Sequence, residues 1–213
     1  MKYTHIIWDF NGTIIDDVDA EVRSINTLLI SKGKSPISSK DEYRKDFGFP
    51  IIDYYRRIGL ACDDKEYAIM APLWVEEYMK NVKDAPLCPD VKEMLEYFKD
   101  EGYTQLIISA NEINMLNWQL DGLGVREYFD EIIGLGDIEA YSKILLGVEW
   151  AKKHPDAKAL FIGDTLHDHE VATAMGADCV LVSSGHQLAS TLRQSGVAVV
   201  KKLTDIKTVT DQT

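Results

Sequence analysis

Short apolar runs alternating with amphipathic helical stretches constrain this chain more than any other feature. Ile6-Ile7-Trp8, Leu106-Ile107-Ile108, Glu131-Ile132-Ile133, Ala159-Leu160-Phe161-Ile162 and Cys179-Val180-Leu181-Val182 have strand length and are rich in strand-favouring residues. A further strand is expected at 197–200. Between them lie helical patterns: Val91, Met94, Leu95 and Phe98 closed by Gly102, Met115 to Gly122, Ile144 to Ala151, and Val171 to Met175 closed by Gly176. Near-continuous apolar strands separated by helices are what a parallel sheet covered on both faces requires.

One stretch departs from the alternation. After Asp16 and Asp17, which can cap a helix, Val18, Val22, Ile25 and Leu29 recur at helical spacing. Ser39 with Glu42 three residues on has the form of a capping box, and Pro50 suits the first turn ahead of Ile51, Tyr54, Tyr55 and Ile58. Tyr67, Met70, Ala71, Trp74 and Tyr78 form another stripe, which Pro72 is expected to kink or split. No strand is expected between Asp16 and Ala85. The expected fold class is therefore α/β: a Rossmann-like parallel sheet core from residues 1–15 and 86–213, with residues 16–85 inserted as an all-helical cap.

Charge narrows the partners. The chain has 23 Lys and Arg against 35 Asp and Glu, a formal charge of −12, whereas nucleic acid and anionic membranes call for basic patches. Neither is expected as a partner, and an anionic substrate would need locally placed cations or a metal. No signal peptide or membrane-length apolar run is visible. Cys62, Cys88 and Cys179 are widely spaced without a CxxC pair and read as buried structural thiols in a reducing, cytoplasmic setting.

In an open α/β sheet, ligands gather at the carboxyl ends of the strands. Expected strands end at Asp9, Ser109 and Asp164, and Lys143 begins a helix after the strand near Ile133. Asp9 and Asp164 can hold a hard cation, while Ser109 and Lys143 can hold phosphate oxygens. Gly12 and Thr13 offer backbone N–H groups to the same anion, and the Asp9 carboxylate can serve as a nucleophile. Singly, Asp9, Ser109, Asp164 and Asp168 would be turn or cap residues and Lys143 a solvated charge. Their coincidence at one sheet edge favours phosphoryl transfer.

Asp9-Phe10-Asn11-Gly12-Thr13, Ser109, Lys143 and Gly163-Asp164-Thr165-Leu166-His167-Asp168 together resemble the four motifs of the haloacid dehalogenase-like phosphatases, in order and spacing. Gly48-Phe49-Pro50 resembles cap sequences of phosphoglycolate phosphatase-like members. The resemblance implies that Asp9 attacks phosphorus and that Mg²⁺ is held by Asp9, Asp164 and the main-chain carbonyl of Asn11, with Asp168 a further ligand or partner. It further implies that Ser109 and Lys143 bind the phosphoryl group of a small phosphorylated metabolite, with Gly12, Thr13, Ala110 and Asn111 completing the substrate-binding set.

The sequence departs from the family pattern at one point. The family's usual acid/base Asp, two residues after the nucleophile, is Asn11 here, and an amide cannot donate and recover a proton. Three explanations are open: a substrate whose leaving group needs little protonation, such as an acyl phosphate; replacement by His167 or Asp16; or a slow enzyme, in the limit a phosphate-ligand binding protein. Slow or substrate-restricted hydrolysis ranks first. A response-regulator receiver is disfavoured because Asp9 ends the first strand, and a dehalogenase because Asp164 and Asp168 would be idle. A phosphonatase or sugar-phosphate mutase on the same core is a further alternative.

Overall fold

The computed structural model describes residues 2–61, 63–136 and 143–210. Six parallel strands form one sheet: β1 (His5–Trp8), β2 (Thr104–Glu112), β3 (Glu131–Leu135), β4 (Ala159–Gly163), β5 (Asp178–Val182) and β6 (Ala198–Val200). Their order is β3-β2-β1-β4-β5-β6, so the chain runs outward one way from β1 and then restarts beside it at β4. That reversal between β1 and β4 opens a crevice beyond their carboxyl ends.

Helices cover both faces. Along β1, Ile6 and Trp8 face the cluster built with Val91, Leu95 and Phe98 of α5 (Val91–Asp100) and Leu116 and Leu120 of α6 (Ile113–Leu123). Ile7 points the other way, joining Leu106, Ile108 and Phe161 against Trp150 of α7 (Lys143–Lys153) and Val171 of α8 (Leu166–Met175). This is the period-two alternation of a strand buried on both sides. Each such side chain contributes about 1.5–3 kcal/mol on burial. Trp8 keeps its indole N–H satisfied by donating to Gln105 (3.1 Å).

Between β1 and β2 the chain forms α1 (Val18–Ser31), α2 (Lys40–Asp46), α3 (Ile51–Arg57) and α4 (Asp64–Asn81), which share their own apolar cluster around Ile25, Leu29, Tyr43, Tyr55 and Met70. The two passages linking this helical insertion to the sheet run side by side: Asp16 N–H donates to Pro86 O (2.9 Å) and Cys88 N–H to Ile14 O (2.8 Å). A second tie comes from Arg44, which donates to the carbonyls of Gly185 and Ser184, both at 2.7 Å.

Several local expectations change. Pro72 lies inside α4 without splitting it. It and Ala68, whose carbonyl its missing N–H would have engaged, are both exposed, so solvent can take that bond. Pro50 is the residue before α3 and not within its first turn. Ser39 accepts from Glu42 N–H at the start of α2, but the Glu42 carboxylate returns to Ser38. Cys88 is buried and Cys179 half-buried, both as free thiols, while Cys62 lies outside the described residues. No described helix is long and apolar enough to cross a membrane.

Candidate active site

Both central strands end in carboxylates. Asp9 N–H donates to Ile162 O (2.8 Å), extending the β1–β4 ladder by one residue and fixing where Asp9 leaves the sheet. At the end of β4, Gly163 has no room for a Cβ, which would meet Asp168 at 2.4 Å; this lets α8 start tightly against the strand. Thr165 and Asp168 cap that start reciprocally. Oxygens of Asp9, Asp164 and Asp168 consequently lie within 4.8 Å of one another, all buried.

One ammonium stands among them. Lys143 is 2% exposed and donates to Asp9 and to Asp168 (2.5 Å). Burial works against its charge, but Asp168 and Asp9 hold its pKa above the usual lysine value. Asp9 itself is pushed up to about 6 by burial and by Asp168, with Lys143 opposing. Burial would raise Asp168 too, yet Lys143 and Thr165 hold it low. Among the described residues Asp164 has no ammonium partner: burial, with Asp9 and Asp168 nearby, raises it well above the carboxylate range although His186 opposes. A buried all-oxygen set with one carboxylate uncompensated suits a hard divalent cation such as Mg²⁺.

The other expected residues divide. A register shift in β2 between Ile108 and Glu112 turns Ser109, Ala110 and Asn111 into the same cavity, which Asp9, Asn11, Lys143, Asp164 and Asp168 also line. Gly12 and Thr13 are not among the lining residues. Gly12 N–H donates to Asp17 (2.9 Å) and Ile15 O (3.0 Å), Thr13 N–H to Phe10 O (3.3 Å), and the Thr13 hydroxyl to Asp164 (3.2 Å). These two residues brace the loop from behind and do not present amides to an anion here. Gly12, at φ +70°, is also held by space, since a Cβ would meet Asp164 and His186 at 2.4 Å.

Neither His167 nor Asp16 lines the cavity. His167 pairs with Glu170 (2.9 Å) and stacks on Phe49. The neighbouring Asp17 turns inward instead. Its Oδ2 accepts from Asn11 Nδ2 (2.6 Å) and Tyr78 OH (2.7 Å), and its Oδ1 lies 3.1 Å from His186 Nε2. Asn11 also donates to Tyr78 OH (2.7 Å), and Tyr43 OH lies 2.7 Å from His186 Nδ1. Burial alone would lower His186, but Asp17 raises it to about 10, so the ring is an imidazolium at neutral pH. The sequence reads Asp17 only as a helix cap, yet its side chain makes no cap bond to α1, and no sequence signal marks His186 or Tyr78.

Glu21 of α1 is 6% exposed and faces the same cavity, with Trp74 Nε1–H donating to its two oxygens (3.1 and 3.0 Å). Burial pushes its carboxyl up from 4.5 to about 8. The folded chain therefore keeps a proton there that the unfolded chain has released. Metal-free stability should fall as pH rises from about 4.5 through about 8, by up to about 1.4 kcal/mol per pH unit from this group. Urea unfolding of native chain and Glu21→Gln across that range isolates the contribution: the variant's curve should be flatter. Parallel curves would mean that Glu21 ionises freely in the folded chain.

Known proteins bear on this arrangement. A family model for haloacid dehalogenase-like hydrolases matches residues 6–182. A phosphoglycolate phosphatase of Pseudomonas fluorescens is 27% identical over 191 residues, spanning 85% of this chain and 70% of that protein. A phosphoglycolate phosphatase of Pseudomonas aeruginosa is 24% identical over 221 residues, spanning 97% and 79%. Among solved structures, a haloacid dehalogenase-like family hydrolase from Streptococcus pneumoniae superposes with a TM-score of 0.83 over 99% of both chains at 19% identity, a likeness of fold. The chain belongs to the haloacid dehalogenase-like hydrolase family, as a phosphoric monoester hydrolase.

Proposed function

We propose that the chain is a Mg²⁺-dependent phosphatase that hydrolyses a small phosphate monoester or acyl phosphate by passing the phosphoryl group through Asp9. The observation that carries this reading is the Asp9 carboxylate in the cavity, held by Lys143 and flanked by Asp164 and Asp168. Asp9, Asp164 and the Asn11 carbonyl would hold the metal, with Asp168 as partner. When bound, the ion neutralises the carboxylates and phosphoryl oxygens brought together there.

Asp9 attacks phosphorus, forming an aspartyl phosphate and releasing the alcohol or acid; water then cleaves the new P–O bond and restores the carboxylate. Lys143 keeps Asp9 ionised and offers N–H to the phosphoryl oxygens, and Ser109 lies beside it for the same purpose. Asp168 positions Lys143. Asn11 Nδ2 is engaged by Asp17 and Tyr78 and gives up no proton, and losing an acid/base typically costs about 10²–10⁴-fold. The helical insertion acts as a cap over the strand ends and lines with them a cavity of about 120 Å³.

Phosphate release from an aryl phosphate should depend on Mg²⁺. Magnesium titration of Asp164→Asn should show the half-saturating concentration raised by about tenfold or more. An unchanged value would put the metal elsewhere.

A further inference from the structure

The cavity wall opposite Asp9 has a composition that phosphoryl transfer does not use. It comes from the helical insertion and sets the Glu21 carboxyl group among aromatic rings, chiefly Phe47, Tyr55, Tyr67 and Trp74. A carboxyl group has about four positions for hydrogen-bond partners, and among the described residues those at Glu21 are filled by the Trp74 indole alone. No Lys or Arg of the insertion is among the lining residues. Arg44 holds the Gly185 and Ser184 carbonyls, Arg57 the Asp46 carbonyl, and Arg56 pairs with Asp53 and Asp64. Among the described residues the cations lining the cavity are Lys143 and His186, each already bound to carboxylates.

An anionic leaving group, such as the glycolate of the Pseudomonas relatives' substrate, would therefore meet no free cation on this wall, only the Glu21 carboxyl and indole and tyrosine faces. A neutral polyol would find few partners. A compact organic cation meets both needs at once, since ring faces attract it and its charge drives the proton off the buried Glu21 carboxyl, whose carboxylate then compensates it. We propose that the substrate of this site is a phosphate monoester of a small amino alcohol, its ammonium group seated between Glu21 and the rings of Trp74, Tyr55 and Tyr67. The chain's overall negative charge draws such a cationic end inward. An ammonium group near the departing oxygen also acidifies that alcohol by induction, easing the departure that Asn11 does not assist. The inference rests on Asp9 acting as the phosphoryl acceptor at the other end of the cavity.

Choline and its neutral carbon isostere 3,3-dimethylbutanol, titrated calorimetrically into the native chain, test recognition without catalysis. Choline should bind at least about tenfold more tightly, and Glu21→Gln should bring the two within about twofold. The kcat/KM values for phosphocholine, 3,3-dimethylbutyl phosphate and phosphoglycolate should fall in that order. Equal binding of the two alcohols, no measurable choline binding, or a preference that survives Glu21→Gln overturns the proposal. Trp74→Leu, which keeps Glu21 and removes the ring, should weaken choline alone and decides the matter if Glu21→Gln does not fold. Phosphate release from an aryl phosphate, native chain against Asp9→Asn, separately reports the underlying reading. Release without choline selectivity sinks the cation; choline selectivity without release sinks the phosphatase mechanism.

Discussion

Asp9→Asn should release phosphate at least about 10⁴-fold more slowly than the native chain, on every monoester tried. An amide nitrogen or oxygen at that position cannot carry the phosphoryl group, and the described residues place no second carboxylate at the end of β1. The loss should come without unfolding. Burial and Asp168 already oppose the Asp9 charge, so removing it relieves repulsion in the metal-free chain, and Lys143 keeps Asp168 as partner. Thermal unfolding in chelator should show a midpoint no lower than native. Trapping with radiolabelled aryl phosphate should label the native chain and leave Asp9→Asn unlabelled. Labelling of the variant would put the acceptor on another residue.

Asn11→Asp should act in the opposite direction. The Asn11 amide lies 2.6 Å from Asp17 Oδ2, so a carboxyl there meets a carboxylate, and the pair retains a proton near neutrality. That proton is available to a departing alkoxide. Turnover of simple alkyl phosphates should rise by about 10²-fold, and aryl or acyl phosphates, whose leaving groups need little protonation, by less than about tenfold. The native chain, short of a base for the second step, should show a burst of aryl alcohol followed by slow turnover, and the variant should lose the burst. Alkyl rates that stay flat, with no burst in the native chain, would mean that the proton already comes from elsewhere. His186 would then be the residue to replace, because it lines the cavity and is joined to Asp17.

Much of this was legible in the chain. Ile6-Ile7-Trp8 and Ala159–Ile162 read as central strands because both of their faces are covered, and an acid one or two positions past each run, Asp9 and Asp164, could only leave at the sheet edge. Lys143 was legible as the start of a helix from the same edge. What escaped was set by packing between distant segments. His186 sits in the loop after β5 and meets Asp17 from 169 positions away. Tyr78 looked like one more apolar position on its helix stripe, yet its hydroxyl anchors Asn11 and Asp17. Glu21 lay inside an amphipathic pattern whose buried face gave no hint of an acid. The bracing role of Gly12 depends on Asp164 and His186, which no spacing near residue 12 reveals.

Asp17 and Glu21 are joined by the first backbone hydrogen bond of α1, Glu21 N–H to Asp17 O at 2.9 Å. One side chain reaches down to Asn11 and the other faces the opposite chamber wall, so a single rigid turn ties both ends of the cavity together. Sliding or rotating α1 to reshape the wall would drag Asp17 off Asn11, Tyr78 and His186. For a lineage descending from this chain, new preferences are accessible through side-chain replacement at Glu21, Tyr55, Tyr67 and Trp74 on a helix backbone that stays put, and insertions or deletions near the start of α1 would be selected against first.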